Sequence, residues 1–143
     1  LGYRGSIELT EFSDPTRADW GPINSKEPSI RRRIKRARLF AEALADTLAA
    51  DFDVDAIYCF GSLVERGGER FRDTSDVDLL VTGLDAGNLF EAQSRLEIDV
   101  ANSDDAFADL SFDLVRAEDV DIEADDLQHR DEAVRLPVDP STP

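Results

Sequence analysis

The sequence predicts an α/β domain, a small β-sheet with helices packed on one face. Three observations predict it. A short apolar run, Ala56-Ile57-Tyr58-Cys59-Phe60, stops abruptly at Gly61-Ser62. A second, Leu79-Leu80-Val81, follows directly on Asp76-Val77-Asp78. Around them, longer stretches repeat apolar residues at helical spacing, most clearly between Ile30 and Ala50.

In chain order, residues 1–28 read as a poorly patterned N-terminal extension. Ile7 and Leu9 alternate with Glu8 and Thr10, which allows a short strand over Ser6–Phe12. Pro15, Gly21, Pro22 and Pro28 argue against any long element, and Trp20 is a candidate anchor for this arm. The main domain spans residues 29–137. Ser29 is a candidate cap for a helix from Ile30 to Ala50, with Ile34, Ala37, Ala41, Leu44, Ala45 and Leu48 on one face. The first half of that helix is basic: Arg31, Arg32, Arg33, Lys35, Arg36 and Arg38. Two readings stay open. The residues form a solvated face balanced by nearby carboxylates, or a contact surface for RNA, nucleotide phosphates or an acidic partner.

Strands are expected at Ala56–Phe60, Val77–Val81 and Ser111–Val115, with a short helix after Ser62 and another over Asn88–Ile98. Thr82–Gly87 is turn material, and Asn102–Asp105 reads as a loop or cap. In the third strand Phe112 and Leu114 face one way and Asp113 the other. A last helix is expected over Glu123–Val134, and residues 138–143 read as a disordered tail. His129, the only histidine, lies in a polar segment and receives no role. There is no internal repeat and no zinc-ligand spacing.

The chemistry concentrates between Gly61 and Val81. Gly61 permits a sharp turn and close approach to the backbone. Ser62 offers a hydroxyl and an N–H where a helix would begin, a position that favours phosphate. Residues i and i+2 of a strand share a face, so Asp76 and Asp78 project side by side with Val77 turned into the core. Two adjacent carboxylates repel, and a divalent cation with a preference for oxygen ligands, Mg²⁺ or Mn²⁺, relieves that repulsion. A phosphate site beside a carboxylate metal site describes an enzyme of nucleoside triphosphates. The competing reading is accident, since Asp51-x-Asp53-x-Asp55 and Asp119-x-Asp121 also occur in this Asp-rich chain. What sets Asp76 and Asp78 apart is their context, an apolar strand that follows a Gly-Ser turn.

Gly61-Ser62 followed by Asp76-x-Asp78 and an apolar strand resembles the nucleotidyltransferase superfamily of DNA polymerase β. The small size resembles its minimal nucleotidyltransferases, and the resemblance covers about Arg31 to Pro137. The chain departs from the family in the interval between Ser62 and Asp76, which is longer than usual; the extra residues fall in the Gly67–Asp73 loop. The resemblance implies a nucleotidyltransferase fold, α+β in character, with a small mixed sheet. It implies two Mg²⁺ or Mn²⁺ ions held by Asp76, Asp78 and a third carboxylate on a later strand. Asp113 fits that third place, and Asp99 is its competitor. Gly61 and Ser62 would hold the triphosphate; Arg66-Gly67 resembles an Arg-Gly pair of the family, so Arg66 joins them. Arg70 and Arg72 are weaker candidates, with surface exposure the default for all three arginines.

The implied reaction transfers a nucleotide, most simply AMP from ATP, to a hydroxyl. Minimal nucleotidyltransferases often act as antitoxins that modify a tyrosine of a partner HEPN-domain RNase toxin, which makes protein adenylylation the leading expectation. Transfer to a small molecule such as an aminoglycoside is the alternative enzyme, and a catalytically weak module that masks its partner is the alternative class.

Composition sets outer bounds. The 143 residues suit one domain, and a hydrophobic fraction of 41% suits a globular one. No apolar run approaches the roughly 20 residues of a membrane helix, nothing resembles a signal peptide, and the single Cys59 reads as a buried small hydrophobe. A cytoplasmic location fits these features. The net charge of −16, from 32 acidic and 16 basic residues, argues against binding bulk nucleic acid. With lysine only at Lys26 and Lys35, it points to adaptation to high salt.

Overall fold

The structure is a computed structural model that describes residues 16–103, 105–120 and 133–137. The expected strand over Ser6–Phe12, His129, the tail from residue 138 and nearly all of the expected helix over Glu123–Val134 lie outside the described residues.

Helix α1 runs from Pro28 to Asp51. Its start differs from the expected Ser29 cap: Glu27 occupies the cap position without a side-chain cap bond, and Pro28 opens the helix. Proline suits that place because its fixed φ is helical and its missing N–H would have had no intrahelical acceptor. The apolar stripe is buried as the spacing requires, from Ile34 through Ala37, Phe40, Ala41, Leu44 and Ala45 to Leu48.

The sheet has four strands: β1 Ala56–Phe60, β2 Val77–Thr82, β3 Phe112–Arg116 and β4 Val134–Leu136. Their spatial order is β3-β2-β1-β4. β1 pairs antiparallel with β2 and with β4, whereas β2 and β3 run parallel, so the sheet is mixed. The parallel pair needs a crossover. Helix α2, Leu89–Leu96, supplies it and continues as a π turn over Glu97–Ala101. A one-turn helix α3, Ala117–Val120, follows β3.

β4 corrects the expectation at the C-terminal end, since Val134 begins a strand rather than ending a helix. Three residues are too few to show a period of two, and only the free edge of β1 makes them a strand.

Alternation along the strands sorts the two faces. Ile57, Cys59, Val77, Leu79, Val81 and Leu114 pack with α1 and α2 in the main core. Ala56, Tyr58 and Leu80 face the other way and form a smaller cluster with Ala117 and Ala133. Cys59 is fully buried, and burial pushes its thiol pKa far above the ordinary value. No helix among the described residues is long and apolar enough to cross a membrane.

The basic half of α1 divides its arginines between two jobs inside the molecule. Arg31 Nη1 donates to the carbonyls of Ser25 (2.9 Å) and Ile23 (3.2 Å). Arg38 Nη1 donates to the Gly21 carbonyl (2.9 Å), and its guanidinium lies over the Trp20 ring. Both therefore hold residues 20–25 against the helix. Glu42 completes the attachment by accepting from Trp20 Nε1 (2.8 Å) and from the Arg17 and Ala18 amides. Trp20 does anchor the arm. Arg33 and Arg36 point instead to the segment before β3, where both pair with Asp109. Only Arg32 and Lys35 of the six are exposed.

Candidate active site

β1 ends at Phe60, which lies opposite Asp78 in the antiparallel register. The chain then turns at Gly61, where φ is +83°, a left-handed value that disfavours any residue with a Cβ. Space demands glycine as well: a Cβ there would collide with the Asp78 carboxylate. The close approach that Gly61 permits is therefore occupied from within the chain.

Two 3₁₀ turns follow, Gly61–Leu63 and Glu65–Gly68, in place of the expected short helix. Arg66 and Gly67 both adopt left-handed backbone angles, which a continuing helix cannot tolerate. The sequence argument from a helix dipole at Ser62 falls with that helix.

The carboxylates come together from two strands. Asp76 lies just before β2 and is exposed; Asp78, within β2, is half-buried; Val77 between them is fully buried, as alternation requires. Parallel pairing sets Asp78 beside Asp113 of β3 in register. Ser111 binds this corner twice: its carbonyl accepts from the Val77 amide (2.8 Å), and its hydroxyl donates to Asp76 Oδ1. Asp99 is elsewhere, exposed on the π turn of the helical layer, because the helix runs on through it.

Electrostatics mark Asp78 as the constrained member. Partial burial, and then the charges of Asp113, Asp76 and Glu65, raise its pKa to about 6. Glu65 is a fourth carboxylate near this point, and nothing in the sequence pattern singled it out. Among the described residues no three His, Cys, Asp or Glu side chains stand close enough together to form a metal site as they are. The donor set nevertheless suits a hard divalent cation. It is all oxygen, it carries several like charges, and its most buried member is destabilised as an anion.

On the β4 side of the turn lies a cavity of about 660 Å³, walled by Trp20, Ile23, Val64, Arg66, Gly67 and Arg135 among others. None of the three aspartates lines it. Gly61, which lies against the Asp78 carboxylate, does not line the cavity either. Arg66 is exposed, with a loose ion pair to Glu69 (3.8 Å). Arg72 is turned back on its own loop, donating to the carbonyls of Glu69 and Phe71 (both 2.9 Å).

A mixed sheet that sets a Gly-Ser turn beside carboxylates on two adjacent strands is the arrangement expected of a nucleotidyltransferase domain. Residues 41–102 match a family described as Pol beta superfamily nucleotidyltransferase in conflict systems. The match runs from the middle of α1 to the end of the π turn; it takes in Gly61, Ser62, Asp76 and Asp78 but stops before Asp113. It covers less than half of the chain and supports membership of the Pol beta nucleotidyltransferase superfamily. No curated protein and no solved structure shows significant similarity to the chain.

Proposed function

We propose that this chain is a metal-dependent nucleotidyltransferase that moves a nucleoside monophosphate, most simply AMP from ATP, onto a hydroxyl acceptor. The observation that carries the proposal is the pairing of Asp78 with Asp113 on adjacent strands, with Asp76 beside them and Gly61 directly against Asp78. The family match supports the reaction class.

In this reading the turn at Gly61-Ser62 receives the β- and γ-phosphates through backbone N–H groups and the Ser62 hydroxyl, and Arg66 neutralises part of their charge. Asp76, Asp78 and Asp113 would hold Mg²⁺ or Mn²⁺, which supplies charge neutralisation on the triphosphate and lowers the pKa of the acceptor hydroxyl. The acceptor oxygen attacks the α-phosphorus as the bond to pyrophosphate breaks. The contribution of the chain is to hold nucleotide and acceptor in line and to exclude alternatives. Asp113, on the edge strand, serves the acceptor side.

The acceptor we favour is a protein hydroxyl, a tyrosine of a HEPN-domain toxin, in an antitoxin role. The description of the matched family as belonging to conflict systems supports a partner of that kind. The second reading is a small-molecule acceptor such as an aminoglycoside.

The test is label transfer from α-labelled ATP to candidate acceptors at high salt, run beside ATP- and Mn²⁺-dependent melting shifts. The wild type should transfer label and gain melting temperature; Asp76→Asn with Asp78→Asn should lose both. Asp113→Asn should keep ATP binding and lose transfer, because it removes an interaction made with the activated acceptor. A metal-dependent shift that survives the Asp76/Asp78 double change defeats the site assignment.

A further inference from the structure

We infer that Arg33 is a positioning residue for the carboxylates, a clamp on the helical side that fixes the relative placement of the segments leading into β2 and β3. The inference rests on the nucleotidyltransferase reading of the site.

Arg33 sits on α1 and is 9% exposed. Its Nη2 donates to two carbonyls at once, those of Asp73 and Asp109, each at 2.9 Å. Its Nη1 donates to Asp109 Oδ2 at 2.7 Å. Asp73 lies three residues before Asp76, and Asp109 four before Asp113. One guanidinium nitrogen thus ties together the two backbone segments that deliver the carboxylates. Arg36 braces the second segment alone, from Nη1 to Asp109 Oδ1 (2.8 Å) and the Ala106 carbonyl (3.1 Å). The two arginines hold the Asp109 carboxyl well below the usual range.

The corner needs such a tie. Asp76, Asp78 and Asp113 carry like charge, and their repulsion pushes the beginnings of two parallel strands apart. Beside the β2–β3 pairing itself, the links at this level are the Val77 amide to the Ser111 carbonyl and the Ser111 hydroxyl to Asp76 among the described residues. Arg33 reaches the same two segments from the opposite side of the sheet, one turn of chain upstream. It touches neither nucleotide nor acceptor; it acts through the backbone on which the aspartates are mounted. Lysine replaces it only in part, because an ammonium keeps the charge but lacks the planar fork that reaches a carboxylate and two carbonyls together.

Arg38 is the control. It is as buried, 2% exposed, and lies on the same helix, but its bonds go to the arm at Gly21 and Trp20. Affinity for the Mn²⁺–ATP complex is read by titration calorimetry for wild type, Arg33→Gln, Arg33→Lys and Arg38→Gln, each well below its melting temperature. Arg33 bonds none of the three aspartates directly, so its removal should cost about tenfold or less in affinity, the low end of what a direct outer partner of a metal ligand costs. That loss is expected for Arg33→Gln, a smaller one for Arg33→Lys, and none for Arg38→Gln. Wild-type affinity in a folded Arg33→Gln, or equal losses at Arg33 and Arg38, overturns the clamp. If Arg33→Gln does not fold, Arg33→Lys decides by the same comparison. A wild type that binds no Mn²⁺–ATP defeats the nucleotidyltransferase reading instead. The clamp is then judged by hydrogen exchange at the Val77 amide: faster exchange in Arg33→Gln or Arg33→Lys but not in Arg38→Gln upholds it, and unchanged exchange overturns it.

Discussion

The two faces of the sheet are made by the same strands and do opposite things. On the helical face, Ile57, Cys59, Leu79 and Val81 are fully buried in the main hydrophobic cluster. One residue along, on the other face, β2 and β3 carry Asp78 and Asp113 side by side, and Asp78 is held half-buried against like charge. The first face contributes burial, worth about 25 cal/mol per Å² of apolar surface. The second spends part of that stability to hold Asp78 among like charges, against its preference for the neutral form. Alternation with a period of two lets one strand serve both ends, and a slip of one residue would exchange them.

The contrast is broken most severely from the buried side. Leu79→Ala should cost about 2–5 kcal/mol, the usual range for removing a buried leucine side chain. The neighbouring Asp78→Asn, in the absence of metal, should leave stability unchanged or raise it, because it removes a charge that burial and Asp113 disfavour. Urea denaturation of the two variants side by side reads the difference. A large loss from Asp78→Asn would mean that the carboxylate is held by stabilising contacts rather than against repulsion.

The faces meet at Gly61. Gly61→Ala should cost about 1–3 kcal/mol from its left-handed backbone alone, with a further penalty from collision with Asp78. In an Asp78→Ala background the collision disappears and the backbone part remains. The double-mutant cycle should therefore show coupling between the two positions; additive losses would place Asp78 elsewhere.

Arg66 is a smaller case with the same logic. A non-glycine residue in the left-handed region costs about 1–2 kcal/mol, and Arg66 adopts φ 52° and ψ 42°. Arg66→Gly should gain roughly 1 kcal/mol while weakening ATP binding in titration calorimetry. Unchanged affinity would remove Arg66 from the triphosphate site and leave it only a residue of the turn.

Acid separates the clamp from the site. The Asp109 carboxyl is depressed by Arg36 and Arg33, so its ion pairs contribute fully above the ordinary carboxylate pKa and are lost as pH falls toward the depressed one. The stability gap between wild type and Asp109→Asn should be constant near neutrality and close progressively below about pH 4. A gap that widened on acidification would contradict the pairing. Least affected should be Arg32→Glu with Lys35→Glu, both exposed on α1, with stability changes within about 0.5 kcal/mol. In the same assay a reduction of partner modification at full ATP affinity would assign these two residues to docking.

The sequence by itself determined β1 to the residue, β2 to within one, the apolar stripe of α1, and the neighbourhood of Gly61, Asp76 and Asp78. Each rests on an interaction that is local in the chain: alternation, a 3.6-residue period, or a turn that only glycine accepts. It offered Asp113 as the third carboxylate with Asp99 as competitor, and α2 with its π turn does occupy Asp99. Tertiary structure alone decided the rest. Val134–Leu136 is a strand only because β1 offers a free edge. The turn after Ser62 is not α-helical because Arg66, Gly67 and Gly68 pass through left-handed angles while Asn24 of the arm binds the Gly67 carbonyl. The basic run of α1 is neither a free surface nor a bare solvated face. Arg31 and Arg38 close on the arm, and Arg33 and Arg36 on Asp109, partners 6 to 76 residues away in the chain. A charge on a helix announces its sign in the sequence, but its partner is chosen by whichever loop the fold brings within reach of its side chain.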